Sequence, residues 1–206
     1  MQNDNCIIQV FSKNPVPGRV KTRLIPLLGP HEACRLQEIM FERLLNEVTK
    51  LNHRAEIWTD LLPFHPLMIH SGFPLLLQSG GNVGEKMLDA ITDGLARAEK
   101  VILVGSDLPP LDLSYIDSAI KALERCDVVF GPTEDGGFGL IGTTISCTEM
   151  FDGVRWSSIS VFRDIINNFS EHSISPECLP LIWDVDTPDD LDRFFEFTQL
   201  HFSDLR

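Results

Sequence analysis

Four cationic side chains, Lys13, Arg19, Lys21 and Arg23, fall within eleven residues near the start of this chain, among Pro15, Pro17 and Gly18. A lysine ammonium is a compact point charge and an arginine guanidinium a planar fork, and both match phosphate oxygens. The stretch therefore reads as an anion-binding loop, with Lys13, Gly18, Lys21 and Arg23 as candidate phosphate-binding residues. The competing reading is an ordinary exposed loop with solvated charges. Neither GxxxxGK[ST] nor GxGxxG occurs in this loop, so it is not a standard phosphate or dinucleotide loop.

The carboxylates that could face this loop come later. Asp107 closes the apolar run Val101-Ile102-Leu103-Val104-Gly105-Ser106. An acid at that point either caps a turn or holds Mg²⁺ or Mn²⁺, which take oxygen ligands and bridge substrate phosphates. Asp186, two residues after Asp184, is a candidate second metal ligand; if the strand persists there, the two carboxylates point the same way. In Asp135-Gly136-Gly137 the glycines either make a tight turn or let a ligand approach the backbone, with Asp135 as the candidate catalytic base. Gly136, Gly137 and Trp156 are candidate sugar- or acceptor-binding residues, although a tryptophan is more often a packing residue. The six histidines show no metal spacing, and no Ser–His–Asp or Cys–His set is present.

The elements that must position these residues alternate. Cys6–Phe11 reads as a buried strand, and Leu36, Met40, Leu44, Val48 and Leu51 mark an amphipathic helix over 31–51. Further strands are expected at Ala55–Thr59, Leu75–Leu77, Val101–Gly105, Asp127–Phe130, Phe138–Ile141 and near Leu181–Val185. Helices are expected from Asn82 to about Ala98, at Ser114–Glu124, at 157–169 and at 188–199, with residues 60–74 as an irregular excursion. Asn82 with Glu85 forms a capping-box pattern, and Thr187-Pro188-Asp189-Asp190 is a strong helix start. The alternation predicts an α/β fold: three layers, α/β/α, around a mostly parallel central sheet, in one domain spanning 1–206. Ligands then sit beyond the carboxyl ends of the strands, where the loops after the first and fourth strands lie.

Composition sets the bounds. The chain has 206 residues, 43% hydrophobic and 23% charged, enough to bury about 70% of its unfolded surface in one domain. No apolar run approaches the ~20 residues of a membrane span. The first residues lack a signal-peptide pattern, and five scattered cysteines, Cys147 among them, suit reduced thiols; the expected location is cytoplasmic. The net charge of −13 argues against nucleic acid as a partner. Yet residues 1–54 hold 8 of the 17 basic side chains and only 5 of the 30 acidic ones, a cationic patch suited to a small anion.

Taken in order, Lys13–Leu24, Asn82–Met87, Gly105–Pro109, Gly131–Gly142 and Asp184–Leu191 resemble the bacterial radical-SAM/selenodomain-associated transferases, a family grouped with glycosyltransferases of the nucleotide-diphospho-sugar transferase (GT-A) fold. The resemblance runs over nearly the whole chain. It implies a GT-A-like sheet, a nucleotide or sugar-nucleotide donor, and a divalent metal, Mg²⁺ or Mn²⁺, at Asp107. More distantly, the first loop and the closing Asp186-Thr187-Pro188-Asp189-Asp190-Leu191 are similar to nucleotidyltransferases that load GTP or CTP onto cofactor precursors. Two positions depart from the family pattern: Phe138-Gly139 stands where an aromatic pair is usual, and Leu108 where cysteine is common. The resulting expectation is a metal-dependent glycosyltransferase acting from a nucleoside-diphosphate sugar on a small-molecule acceptor. The alternatives are a nucleotidyltransferase releasing pyrophosphate, or a nucleotide-binding domain without catalysis.

Overall fold

The protein is described by a computed structural model over residues 3–146, 148–156, 158–172 and 174–205; Cys147 and Ser157 (the start of the expected helix 157–169) lie outside the described residues. Its strands are β1 (Asn3–Ser12), β2 (His53–Thr59), β3 (Leu75–Leu77), β4 (Lys100–Gly105), β5 (Val128–Pro132), β6 (Phe138–Thr143) and β7 (Glu177–Cys178). The helices are α1 (Ile25–Leu28), α2 (Pro30–Val48), α3 (Pro66–His70), α4 (Val83–Leu95), α5 (Leu113–Ala122), α6 (Val161–Glu171) and α7 (Pro188–Thr198). The sheet runs β3-β2-β1-β4-β6-β5-β7, with β6 antiparallel to both its neighbours and every other pairing parallel.

Strand periodicity explains the layers. Along β4, Ile102 and Val104 join one apolar cluster with Phe41, Leu44 and Ile116, while Val101 and Leu103 join another with Ile91, Phe130 and Ile165. Successive side chains point to opposite faces, so a strand apolar at every position needs cover on both. Helices α2 and α5 cover one face, α4 and α6 the other. A third cluster (Leu24, Leu36, Met40, Val185, Leu191, Phe194) fastens α7 and the end of the first loop onto α2.

The expected capping box forms at α4: the Asn82 side chain accepts from the Glu85 amide at 3.1 Å, and Glu85 Oε2 accepts from the Asn82 amide at 3.2 Å. At α7, Asp190 Oδ2 accepts from the Thr187 amide at 2.7 Å and the Thr187 hydroxyl at 2.8 Å.

The strand expected near Leu181–Val185 is corrected. The last strand is β7, and Ile182 makes only an isolated bridge with Thr133. Pro180 has no amide to donate, which interrupts a ladder. The chain instead steps across the strand ends: Leu179 N donates to Phe130 O, Ile182 N to Pro132 O, and Val185 N to Asp107 O. The strand that would have aligned Asp184 with Asp186 is therefore absent from this segment.

Candidate active site

Strand β1 is flanked by β2 on one side and β4 on the other, so the chain reverses its winding between β1 and β4. At such a switch point the loops after the two strands part and leave a crevice. Here those loops carry the cations and Asp107.

The first loop, 13–24, is held by a turn and by buried side chains. Arg19 N donates to Val16 O, Gly18 takes φ +84° to allow the turn, and Val20 and Leu24 are buried beneath it. Asn14 is the loop's tie to the 60–65 segment. Its amide donates to Asp60 Oδ1 at 2.8 Å, its Nδ2 to Pro63 O at 2.8 Å, and its Oδ1 accepts from the His65 amide at 3.0 Å. The excursion expected at 60–74 thus contains α3 and buttresses the cationic loop.

Lys21 adopts φ +47°, uncommon for a side chain with a Cβ. The turn directs it inward, where Nζ donates to Asp107 Oδ2 at 2.9 Å and to Val185 O at 2.5 Å. Asp107 is braced on its other oxygen: Ser106 Oγ lies 3.2 Å from Oδ1 and 2.9 Å from Ser12 Oγ, and accepts from Gln37 Nε2 at 2.8 Å. Burial alone would raise the Asp107 carboxyl, but Lys21, the Ser106 hydroxyl and Lys13 outweigh it and hold it below the usual carboxylate range. Arg23 pairs with Asp186 at the rim.

A cleft of about 490 Å³ opens here, walled by Lys13, Lys21, Arg23, Lys86, Asp107 and Asp186. A second pocket of about 400 Å³ adjoins it and shares Arg23, Val83 and Asp186; Asp135, Gly137 and Trp156 line it. The structure thus brings Lys13, Lys21, Arg23, Asp107 and Asp186 to one cleft and Asp135, Gly137 and Trp156 to its neighbour. Gly18 and Gly136 shape turns without lining either. Gly136 takes φ +84°, and a Cβ there would come within 2.3 Å of Ile159 O.

Asp135 is oriented by its own turn, with Oδ1 accepting from Thr133 Oγ1 at 2.5 Å and from the Gly137 amide at 3.0 Å. Asp184 lies close enough to feel Asp135, Lys21 and Asp107. Burial first, then Asp135, pushes its carboxyl up to about 6 against the pull of Lys21. Among the described residues no three His, Cys, Asp or Glu side chains converge as a ready metal cage. Mg²⁺, however, usually takes one or two carboxylates and completes its shell with phosphate oxygens and water, and Asp107 with Asp186 in one cleft suits that habit. Lys21 and Arg23 would compete with such an ion for Oδ2 of the two carboxylates.

Gln37 and Lys86 also line the cleft. Gln37 was invisible as a site residue because it occupies an apolar helix stripe, as a polar residue only 4% exposed. A buried glutamine needs a partner, and that is the one signal it gives. Lys86 could have been found from its place in the first turn after the Asn82 cap.

Fold and site together define an α/β protein of the nucleotide-diphospho-sugar transferase-like architecture. The chain belongs to the family DUF2064, described as an uncharacterized protein conserved in bacteria, whose profile matches residues 49–158. It is similar to a crystal structure from Desulfovibrio desulfuricans G20 provisionally assigned as a nucleotide-diphospho-sugar transferase, with 26% identity and a TM-score of 0.87 over 98% of this chain and 94% of that one. The fold is shared with CMP:2-keto-3-deoxy-manno-octonic acid synthetase complexed with CTP (9% identity, TM-score 0.60, 95% and 98% of the chains). It is also shared with glucosyl-3-phosphoglycerate synthase from Mycobacterium tuberculosis in complex with Mn²⁺, uridine diphosphate and glucosyl-3-phosphoglycerate (12%, 0.55, 98% and 78%). No curated protein sequence matches the chain significantly.

Proposed function

We propose that the protein is a glycosyltransferase that transfers a sugar from a nucleoside diphosphate to a small-molecule acceptor, with residues 1–206 acting as one domain. The observation that carries this is the pair of joined pockets, one walled by four cations and the other by Asp135 and Trp156. In this reading Lys13, Arg23 and Lys86 meet the donor's phosphates from the cleft wall, and Lys21 adds its charge from the floor. Gly18 supplies the turn that presents them, and charged donors fixed in place are worth most where negative charge develops. Asp107 and Asp186 would hold Mg²⁺ or Mn²⁺, which supplies a Lewis acid for the leaving diphosphate.

Asp135 takes the proton from the acceptor hydroxyl as its oxygen bonds to the sugar's anomeric carbon. The bond from that carbon to the diphosphate breaks, and its electron pair leaves with the nucleotide. Gly136 and Gly137 keep the backbone low beside Asp135, and Trp156 walls the acceptor side. A cytoplasmic location belongs to the same reading, because the five cysteines of the sequence are scattered without CxxC spacing, as suits reduced thiols. The 26% identity to an assigned nucleotide-diphospho-sugar transferase favours sugar transfer, whereas the 0.60 TM-score to a CTP-bound synthetase supports nucleotidyl transfer as the second reading.

Calorimetry of uridine and cytidine di- and triphosphates, with and without Mn²⁺, tests the site. Metal-dependent binding is expected, and its absence for every nucleotide would remove the proposal. Product analysis separates the two readings: free nucleoside diphosphate from a sugar nucleotide supports the first, and pyrophosphate from a triphosphate the second.

A further inference from the structure

The two joined pockets differ in chemistry. The cleft at Asp107 is walled by charge, whereas the pocket at Asp135 is lined by Val83, Met87, Phe138, Trp156, Ile159 and Val161, with Arg23, Asp135, Ser158 and Asp186 as its polar members. Apolar walls with a few placed polar groups are the usual build of a site for an organic ligand.

The aromatic wall is packed against the body of the fold. The Trp156 indole sits on Gly84 in α4, where a Cβ would come within 2.3 Å of its Cζ2. The indole also meets Phe151 in an edge-to-face contact at 5.5 Å, and Phe151 stacks on Phe138 at 6.4 Å. The segment carrying Ile159 is pinned to the Asp135 turn by the Phe162 amide donating to Gly136 O at 2.9 Å. Ile159 is nonetheless 80% exposed and Val83 41% exposed, so two aliphatic side chains are held open to solvent around a partly covered indole. A ligand with an apolar face would bury this surface, a gain of about 25 cal/mol per Å².

We infer that the acceptor is an alcohol with a flat apolar body, an aromatic or cyclic ring, which lies between Trp156, Val83 and Ile159 with its hydroxyl at Asp135. This rests on the transferase reading and names the substrate class for its second pocket. A small polyol such as glycerol has no apolar face with which to cover these aliphatic groups.

The test is a titration of ¹⁵N-labelled protein with 2-phenylethanol and with glycerol, alcohols with and without an aromatic body, read on the tryptophan indole N–H signals. Trp156→Phe assigns the signal. Saturable movement of Trp156 is expected, with Trp58 and Trp183 still, and phenylethanol binding at least about ten-fold tighter than glycerol. Ile159→Ser, at a position 80% exposed, should weaken phenylethanol about five-fold and leave uridine diphosphate affinity unchanged. Equal affinity for the two alcohols, no saturable shift, or displacement of phenylethanol by uridine diphosphate would overturn the inference; the last would give the pocket to the donor. Nucleotide calorimetry on the same sample keeps the readings apart. Nucleotide binding without phenylethanol binding removes the acceptor class alone. Phenylethanol binding without any nucleotide binding removes the transferase reading and leaves an apolar-ligand pocket.

Discussion

Lys21 and Asp107 form an asymmetric ion pair: Nζ lies 2.9 Å from Oδ2, with the lysine side chain 2% exposed and the carboxylate 46% exposed. The cation is inside and the anion faces the cleft. Asp107 is thereby kept ionised at the cleft floor, while the lysine depends on its partners to be buried at all.

Removing the lysine should expose that dependence. Lys21→Met leaves Asp107 without its main counter-charge and is expected to cost about 2 kcal/mol, less than the loss of one partner from a fully buried pair because the carboxylate is half open. Urea unfolding measures it. Adding Asp107→Asn should recover part of the loss, and strict additivity of the two changes would show that the pair is not coupled.

Arg23 is a different case. Its pair with Asp186 is exposed on both sides, so Arg23→Ala should change stability by no more than about 0.5 kcal/mol. Its expected effect is on binding, with about a ten-fold loss of uridine diphosphate affinity in calorimetry and a shallower salt dependence. Unchanged affinity would place the phosphates elsewhere.

Asp184 sets a pH dependence. Its carboxyl is pushed up to about 6 from an ordinary 3.8, by burial first and then by Asp135. Between those values the folded chain holds a proton that the unfolded chain has lost, so this group makes stability fall as pH rises through the window. Asp184→Asn removes that cost. It should be about 1–2 kcal/mol more stable than the parent at pH 7.5 and show no advantage at pH 4; solvent contact keeps the gain below the roughly 3 kcal/mol of the full shift. Thermal melts at the two pH values decide it, and a pH-independent difference would contradict the assignment.

Gly84→Ala probes the wall of the second pocket. Alanine suits a helix better by up to about 1 kcal/mol, but its Cβ would meet the Trp156 ring at 2.3 Å. Overpacking costs about 1–3 kcal/mol, so a net loss of about 1–2 kcal/mol is expected, lowering Tm by several degrees, on the order of 2–4 °C per kcal/mol. A shifted Trp156 emission should accompany it. A rise in Tm would mean that the indole does not rest there.

What the sequence determined by itself was the order of strands and helices, the caps at Asn82 and Thr187, and the cationic loop from Lys13 to Arg23. Those are encoded by near neighbours, through apolar periodicity and by residues whose side chains bond their own backbone. The tertiary structure alone decided where side chains point. It inserted β6 antiparallel between two strands, turned Lys21 inward at φ +47°, and ended the last strand at Cys178, before the segment carrying Asp184 and Asp186. It also set Gln37 behind Ser106 and Trp156 over Gly84. Each of these depends on contact between segments far apart in the chain, and no local pattern of residues carries that information.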